Sequence, residues 1–169
     1  MELLLLRHGQ AEDFNPSGDA ARTLTEKGRR QSRRVGRLLL DLDQRPDIVL
    51  TSPRVRCQQT AELFAEAARM PGPVVQSWLD CGMTRDLAIS ELRAFNDFNR
   101  VLLVGHEPDL SSLVESLLGV GCGASVEVKK GALVGFWMTA SGGSAVLRFV
   151  VPPKMMRRCK ADADISVSD

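Results

Sequence analysis

The sequence lacks an excess of either charge, a hydrophobic run long enough to cross a bilayer, and any paired-cysteine motif. Its 22 basic and 21 acidic residues nearly cancel, so total charge gives no reason to expect a nucleic-acid partner. The opening leucine run, residues 3–6, is far shorter than the roughly 20 apolar residues of a membrane-spanning helix. Cys57, Cys81, Cys122 and Cys159 are widely and irregularly spaced, without a C-x-x-C and with only two histidines to complete a zinc set. With no secretory leader ahead of them, they read as reduced thiols of a soluble, cytoplasmic protein. Histidine is so scarce that the placement of each one carries information.

At 169 residues the chain is long enough to bury one sizeable core, and no internal repeat or linker divides it. The run "LLLLRHG" reads as a buried strand feeding a loop. Thr25 caps an expected helix in which Val35, Leu38, Leu39 and Leu42 recur at helical spacing before Pro46, with Gly28 and Gly36 weakening it modestly. Arg29, Arg30, Arg33, Arg34 and Arg37 fall on its polar arc and read as a solvated face. A strand follows from Ile48 to Ser52, then a helix in "RVRCQQTAELFAEAA", a short strand in "PGPVVQSWL", a helix in "TRDLAISELRAFNDF", and a strand over 100–104 leading into "GHEPDLSSLVESLL". This alternation argues for a mainly parallel sheet with helices on both faces, an α/β/α sandwich in three layers. From about Ser125, "SVEVKKGALVGFWMT" and "SAVLRFVVP" are β-rich and joined by "ASGGS", too short for a helical crossover, so they close the sheet edge, with Lys129, Lys130 and Gly131 as the first turn. Trp78 and Trp137 read as packing anchors. The single domain is expected over 1–158, with 159–169 a disordered acidic tail.

His8 and His106 each follow an apolar run, at the carboxyl end of an expected strand. In open α/β sheets that edge is where ligands bind, so the two imidazoles are candidates for one site. Arg7 precedes His8, and Arg54 and Arg56 follow the strand that ends at Ser52. Guanidinium groups beside imidazoles and glycine-freed backbone N–H groups have the donors to hold a phosphoryl group.

"LLLRHGQAE", "TSPRVRCQQTA" and "LLVGHEPDLS", in this order and at strand ends, resemble the histidine phosphatase superfamily, the phosphoglycerate mutase-like fold. The short length, "RTLTEKG" and "VLRFVVPPKMM" are similar to its small bacterial branch, the phosphohistidine phosphatase SixA family. The resemblance covers about residues 1–158. It implies His8 as nucleophile, Arg7 and Arg56 as phosphate clamps with Gly9, and His106 as the second pocket imidazole. It further implies a covalent phosphohistidine on His8, no cofactor and no metal. The implied partner is a phosphohistidine-bearing protein such as a phosphotransfer domain, met by a monomer without nucleic acid or membrane.

Phosphomonoester-cleaving relatives use a carboxylic acid to protonate the departing alkoxide. No single residue stands out as that acid. Asp80, Asp86, Glu91 and Glu107 are candidates, each also readable as a solvated or capping carboxylate. A phosphorylated imidazole leaves neutral if its own ring carries a proton, which favours P–N over P–O cleavage. Asn15 and Asp13, in the loop after the nucleophile, could orient water or substrate but suit a turn better, and a solvated Arg54 is expected. The competing functions are a monoesterase acting on a phosphorylated metabolite or a phosphoserine, phosphothreonine or phosphotyrosine protein, and a non-catalytic phosphate-binding module.

Overall fold

The leucine run is continuous because its strand is buried on both faces. In a computed structural model describing residues 1–120, 126–139 and 144–158, β1 (Glu2–Arg7) places Leu3 and Leu5 in one apolar cluster and Leu4 and Leu6 in the other. Around it the chain forms α1 (Glu26–Asp41), β2 (Ile48–Thr51), α2 (Val55–Ala68), β3 (Val74–Val75), α3 (Arg85–Leu92), β4 (Arg100–Gly105), α4 (Asp109–Leu118), β5 (Leu133–Met138) and β6 (Ala145–Val151). The sheet order is β3-β2-β4-β1-β5-β6. The first four of these strands are parallel, and β5 and β6 close the edge through antiparallel pairing. Val35, Leu39 and Phe64 of α1 and α2 cover one face, and Ala88, Leu92, Leu110 and Leu113 of α3 and α4 cover the other. Three layers result, as the alternation predicts.

Thr25 does cap α1, its side chain accepting from the Gly28 N–H. Gly28 and Gly36 prove to be packing requirements: a Cβ at Gly36 would lie 2.3 Å from the Phe64 carbonyl oxygen, so its absence lets α1 lie directly on α2. Leu42, expected on the buried stripe, follows the last helical turn and is exposed. Residues 126–129 are not strand, although Val128 is buried. Trp78 is buried, whereas Trp137 is 53% exposed and lies under the Arg148 guanidinium, 5.4 Å from its ring centroid. The expected acidic tail, Cys122, Cys159 and most of the "ASGGS" connection fall outside the described residues. Among the described residues no helix is long and apolar enough to cross a membrane.

Candidate active site

β1 and β4 are parallel neighbours with Arg7 opposite Gly105, so the next residue of each strand leaves the sheet at the same level. Those residues are His8 and His106, both buried, with ring centroids 5.4 Å apart and planes inclined at 57°. Ser52 completes the row: it follows β2, whose Thr51 is opposite Val104, and its Oγ lies 2.7 Å from His106 Nε2.

His8 Nδ1 is 2.7 Å from the Gly9 carbonyl oxygen. A carbonyl can only accept, so Nδ1 carries the proton and Nε2 keeps its lone pair. Burial lowers the His8 pKa to about 3, against the pull of the Gly9 hydrogen bond, and His106, Arg56 and Arg7 add to the lowering. Burial, with Arg56 and Arg54 beside it, likewise brings His106 to about 4. Both rings are neutral at neutral pH.

The loop carrying His8 is fixed by backbone contact. Gly9 N–H donates to Thr60 Oγ1 at 3.1 Å, and Gly131 N–H donates to the Arg7 and His8 carbonyls. A Cβ on Gly9 would stand 2.7 Å from the Gly28 carbonyl oxygen, and one on Gly28 would stand 2.1 Å from that of Gln10. Only glycines let the start of α1 approach this loop so closely.

Arg56, in the first turn of α2, is 5% exposed and donates to the Asp19 carbonyl at 2.8 Å and its carboxylate at 3.1 Å. Arg54, expected to be solvated, instead bonds Asp80 at 2.5 Å and also pairs with Asp19. A hydrogen bond from Arg22, aided by Arg56, holds the Asp19 carboxyl well below the ordinary range. Burial opposes ionisation of Asp80, but its Arg54 partner outweighs that and lowers its pKa. Both aspartates are therefore ionised. Arg7 donates through Nη1 to the Val128 carbonyl at 2.8 Å, while its buried Nε has no partner. Glu107 accepts from Ser111 Oγ through Oε2; its Oε1 is buried without a partner, and burial raises its pKa against the pull of Arg7.

The structure thus gathers Arg7, His8, Gly9, Arg56 and His106, with Asp80 and Glu107 nearby. It leaves Asp86 almost fully exposed in the first turn of α3, beside Arg85. Asn15 organises a turn, donating to Glu12 and to the Ala21 carbonyl and accepting from Ser17 N–H. Asp19 and Ser52 were not singled out by the sequence; Ser52 shares the strand-end signal of the histidines, whereas only the three-residue spacing to Arg22 marks Asp19. Asp80, Cys81 and His106 place three metal-capable atoms within 4.8 Å of one another. Arg54 already occupies Asp80, Ser52 bonds His106, and the two arginines oppose a cation there. Cys57 Sγ lies 3.5 Å from His106 Nε2, but burial pushes its thiol pKa up, so it is no thiolate nucleophile.

Residues 3–83 match the family model of the histidine phosphatase superfamily (branch 1). An uncharacterized protein of Picosynechococcus sp. (strain PCC 7002) is 33% identical over 138 residues, 80% of this chain and 84% of that protein. Among solved structures, the protein histidine phosphatase SixA complexed with tungstate superposes with a TM-score of 0.81 at 25% identity, over 91% of this chain and 98% of its own. The alpha-ribazole phosphatase of Shigella flexneri shares the fold, with a TM-score of 0.69 at 22% identity over 90% of this chain and 97% of its own.

Proposed function

Because the chain belongs to the histidine phosphatase superfamily, we propose that it is a phosphohistidine phosphatase that passes a protein-borne phosphoryl group to His8 and then to water. One observation carries this reading: a buried neutral imidazole has its Nδ1–H tied to the Gly9 carbonyl, which leaves the lone pair on Nε2, with His106 5.4 Å away between ring centroids and Arg7 and Arg56 close enough for their charges to act on the ring. Attack by Nε2 forms an N–P bond as the substrate's P–N bond breaks. The departing imidazole leaves neutral when its other nitrogen bears a proton. Arg7, with its orphaned Nε–H, and Arg56 offset the charge on the equatorial oxygens, a contribution that is largest when donors are already aimed. Water then forms an O–P bond, the His8–phosphorus bond breaks, and the electron pair returns to Nε2, regenerating the neutral ring. No step uses a metal. The catalytic unit is residues 1–158, and the carrier is a phosphotransfer domain or a protein like it.

The state of the carboxylates favours phosphoramidate cleavage. Asp19 and Asp80 sit on the arginines as anions and have no proton to give. Glu107 supports a second reading, because its raised pKa and unpartnered Oε1 suit a leaving-group acid of a monoesterase. The likeness to SixA supports the first reading.

A comparison of kcat/KM for a phosphohistidine carrier protein, free phosphohistidine and several phosphomonoesters, with wild type and Glu107→Gln, separates the two. Preference for phosphohistidine with Glu107→Gln within about threefold of wild type is expected. Better turnover of a monoester, lost in Glu107→Gln, would overturn the phosphohistidine reading and leave the His8 chemistry standing.

A further inference from the structure

Next to the phosphate pocket lies a cleft of about 780 Å³ of which the proposed chemistry uses only Arg7. Lys27, Arg30 and Arg34 line it from α1, at the spacing that puts them on one helix face, and Lys129, Lys130 and Lys154 line it from the opposite segments. Arg7 belongs to both places: it lines the cleft and its charge acts on His8, so the cleft adjoins the phosphate pocket through Arg7. Gln31 holds the walls in register, donating to the Lys130 carbonyl at 3.0 Å and accepting from Gln10 N–H at 2.9 Å. Against seven cationic side chains the cleft has one carboxylate, Glu127, 3.2 Å from Lys129, in a chain whose net charge is only +1.

The α1 cations are not one uniformly solvated arc. Outside the cleft, Arg29 lies 3.6 Å from Glu26 and Arg33 lies 4.0 Å from Glu66. Within it, Lys27, Arg30, Lys130 and Lys154 have no carboxylate within ion-pair distance among the described residues. Holding like charges together costs free energy, which an anionic partner recovers. Small-molecule sites are mostly apolar with a few convergent polar groups, whereas seven of the twelve residues lining this cleft are long cationic chains, as in surfaces that steer a charged protein partner.

We propose that this cleft is a docking subsite for an acidic protein surface flanking the phosphorylated residue. The proposal rests on the phosphatase reading but not on the identity of the phosphorylated residue. It is tested with peptides carrying phosphohistidine or phosphotyrosine, each flanked by aspartates or by serines, measured for kcat/KM and for binding by fluorescence anisotropy. Wild type is expected to favour the aspartate-flanked peptide about tenfold at low salt, with the preference fading as salt screens the charges. In Arg30→Glu/Lys130→Glu the preference should vanish, while serine-flanked peptides are turned over as before. Failure on phosphohistidine with a persistent acidic-flank preference on phosphotyrosine would overturn the substrate reading and uphold the subsite. Equal binding of both flanks, equal loss on both in the double variant, or tighter binding of a single-stranded oligonucleotide than of the acidic peptides would overturn the subsite.

Discussion

Burial of His8 as a neutral base has a cost in acid that stability measurements can isolate. Its pKa falls from 6.5 to about 3 on folding, chiefly through burial, so between those values the unfolded chain binds a proton that the folded chain refuses. Stability must therefore rise with pH through that window, reach its full value above pH 6.5, and be lost as pH falls. With these two pKa values the linkage amounts to about 2 kcal/mol between pH 7 and pH 5, and on the order of 4–5 kcal/mol if the acid limit near pH 3 is reached. His8→Ala removes the group and with it the pH dependence it brings. Urea unfolding of wild type and His8→Ala at pH 7, 6 and 5 reads the difference. Whatever the gap at pH 7, it should move in favour of the variant by about 2 kcal/mol on going to pH 5. Parallel pH dependence of the two proteins would refute the claim that His8 is buried uncharged, and with it the case for an unprotonated Nε2.

Gly28→Ala should destabilise the fold by about 2 kcal/mol in urea unfolding, because a Cβ placed 2.1 Å from the Gln10 carbonyl oxygen outweighs the roughly 1 kcal/mol gain in helix propensity. A stabilised variant would show that the close approach of α1 to the His8 loop is not required. Ser52→Ala should lower kcat about tenfold with KM changed less than twofold, the loss of one hydrogen bond that positions His106, and Ser52→Thr should recover most of it. Unchanged kcat in Ser52→Ala would remove Ser52 from the mechanism.

What the sequence made legible was whatever periodicity and strand ends report. Leu3–Leu6 announced a buried strand, and the positions of His8 and His106 after two such runs placed them at one sheet edge, while the β1–β4 register that makes them neighbours appears only in the structure. Contacts between elements distant in sequence were not legible. Gly28 and Gly36 looked like weak points of α1 because their backbone contacts, with the loop after His8 and with α2, appear only in three dimensions. Arg54 looked solvated because its partners Asp19 and Asp80 lie 35 and 26 residues away. The β-rich composition of 126–129 suggested strand, but Val128 turns its carbonyl to Arg7 instead of pairing in the sheet. The α1 arginines read as a solvated face for the same reason, since a helix pattern cannot say that Lys129, Lys130 and Lys154 line the same cleft as Arg30 and Arg34.

The central claim is a covalent phosphoryl group on His8 Nε2. Quenching turnover in alkali, where phosphohistidine survives, and mapping the added phosphoryl mass by peptide mass spectrometry tests it most directly. The adduct is expected on the peptide containing His8 in wild type, with neither adduct nor turnover in a folded His8→Ala protein. An adduct on any other residue, or wild-type turnover by His8→Ala, would contradict the claim.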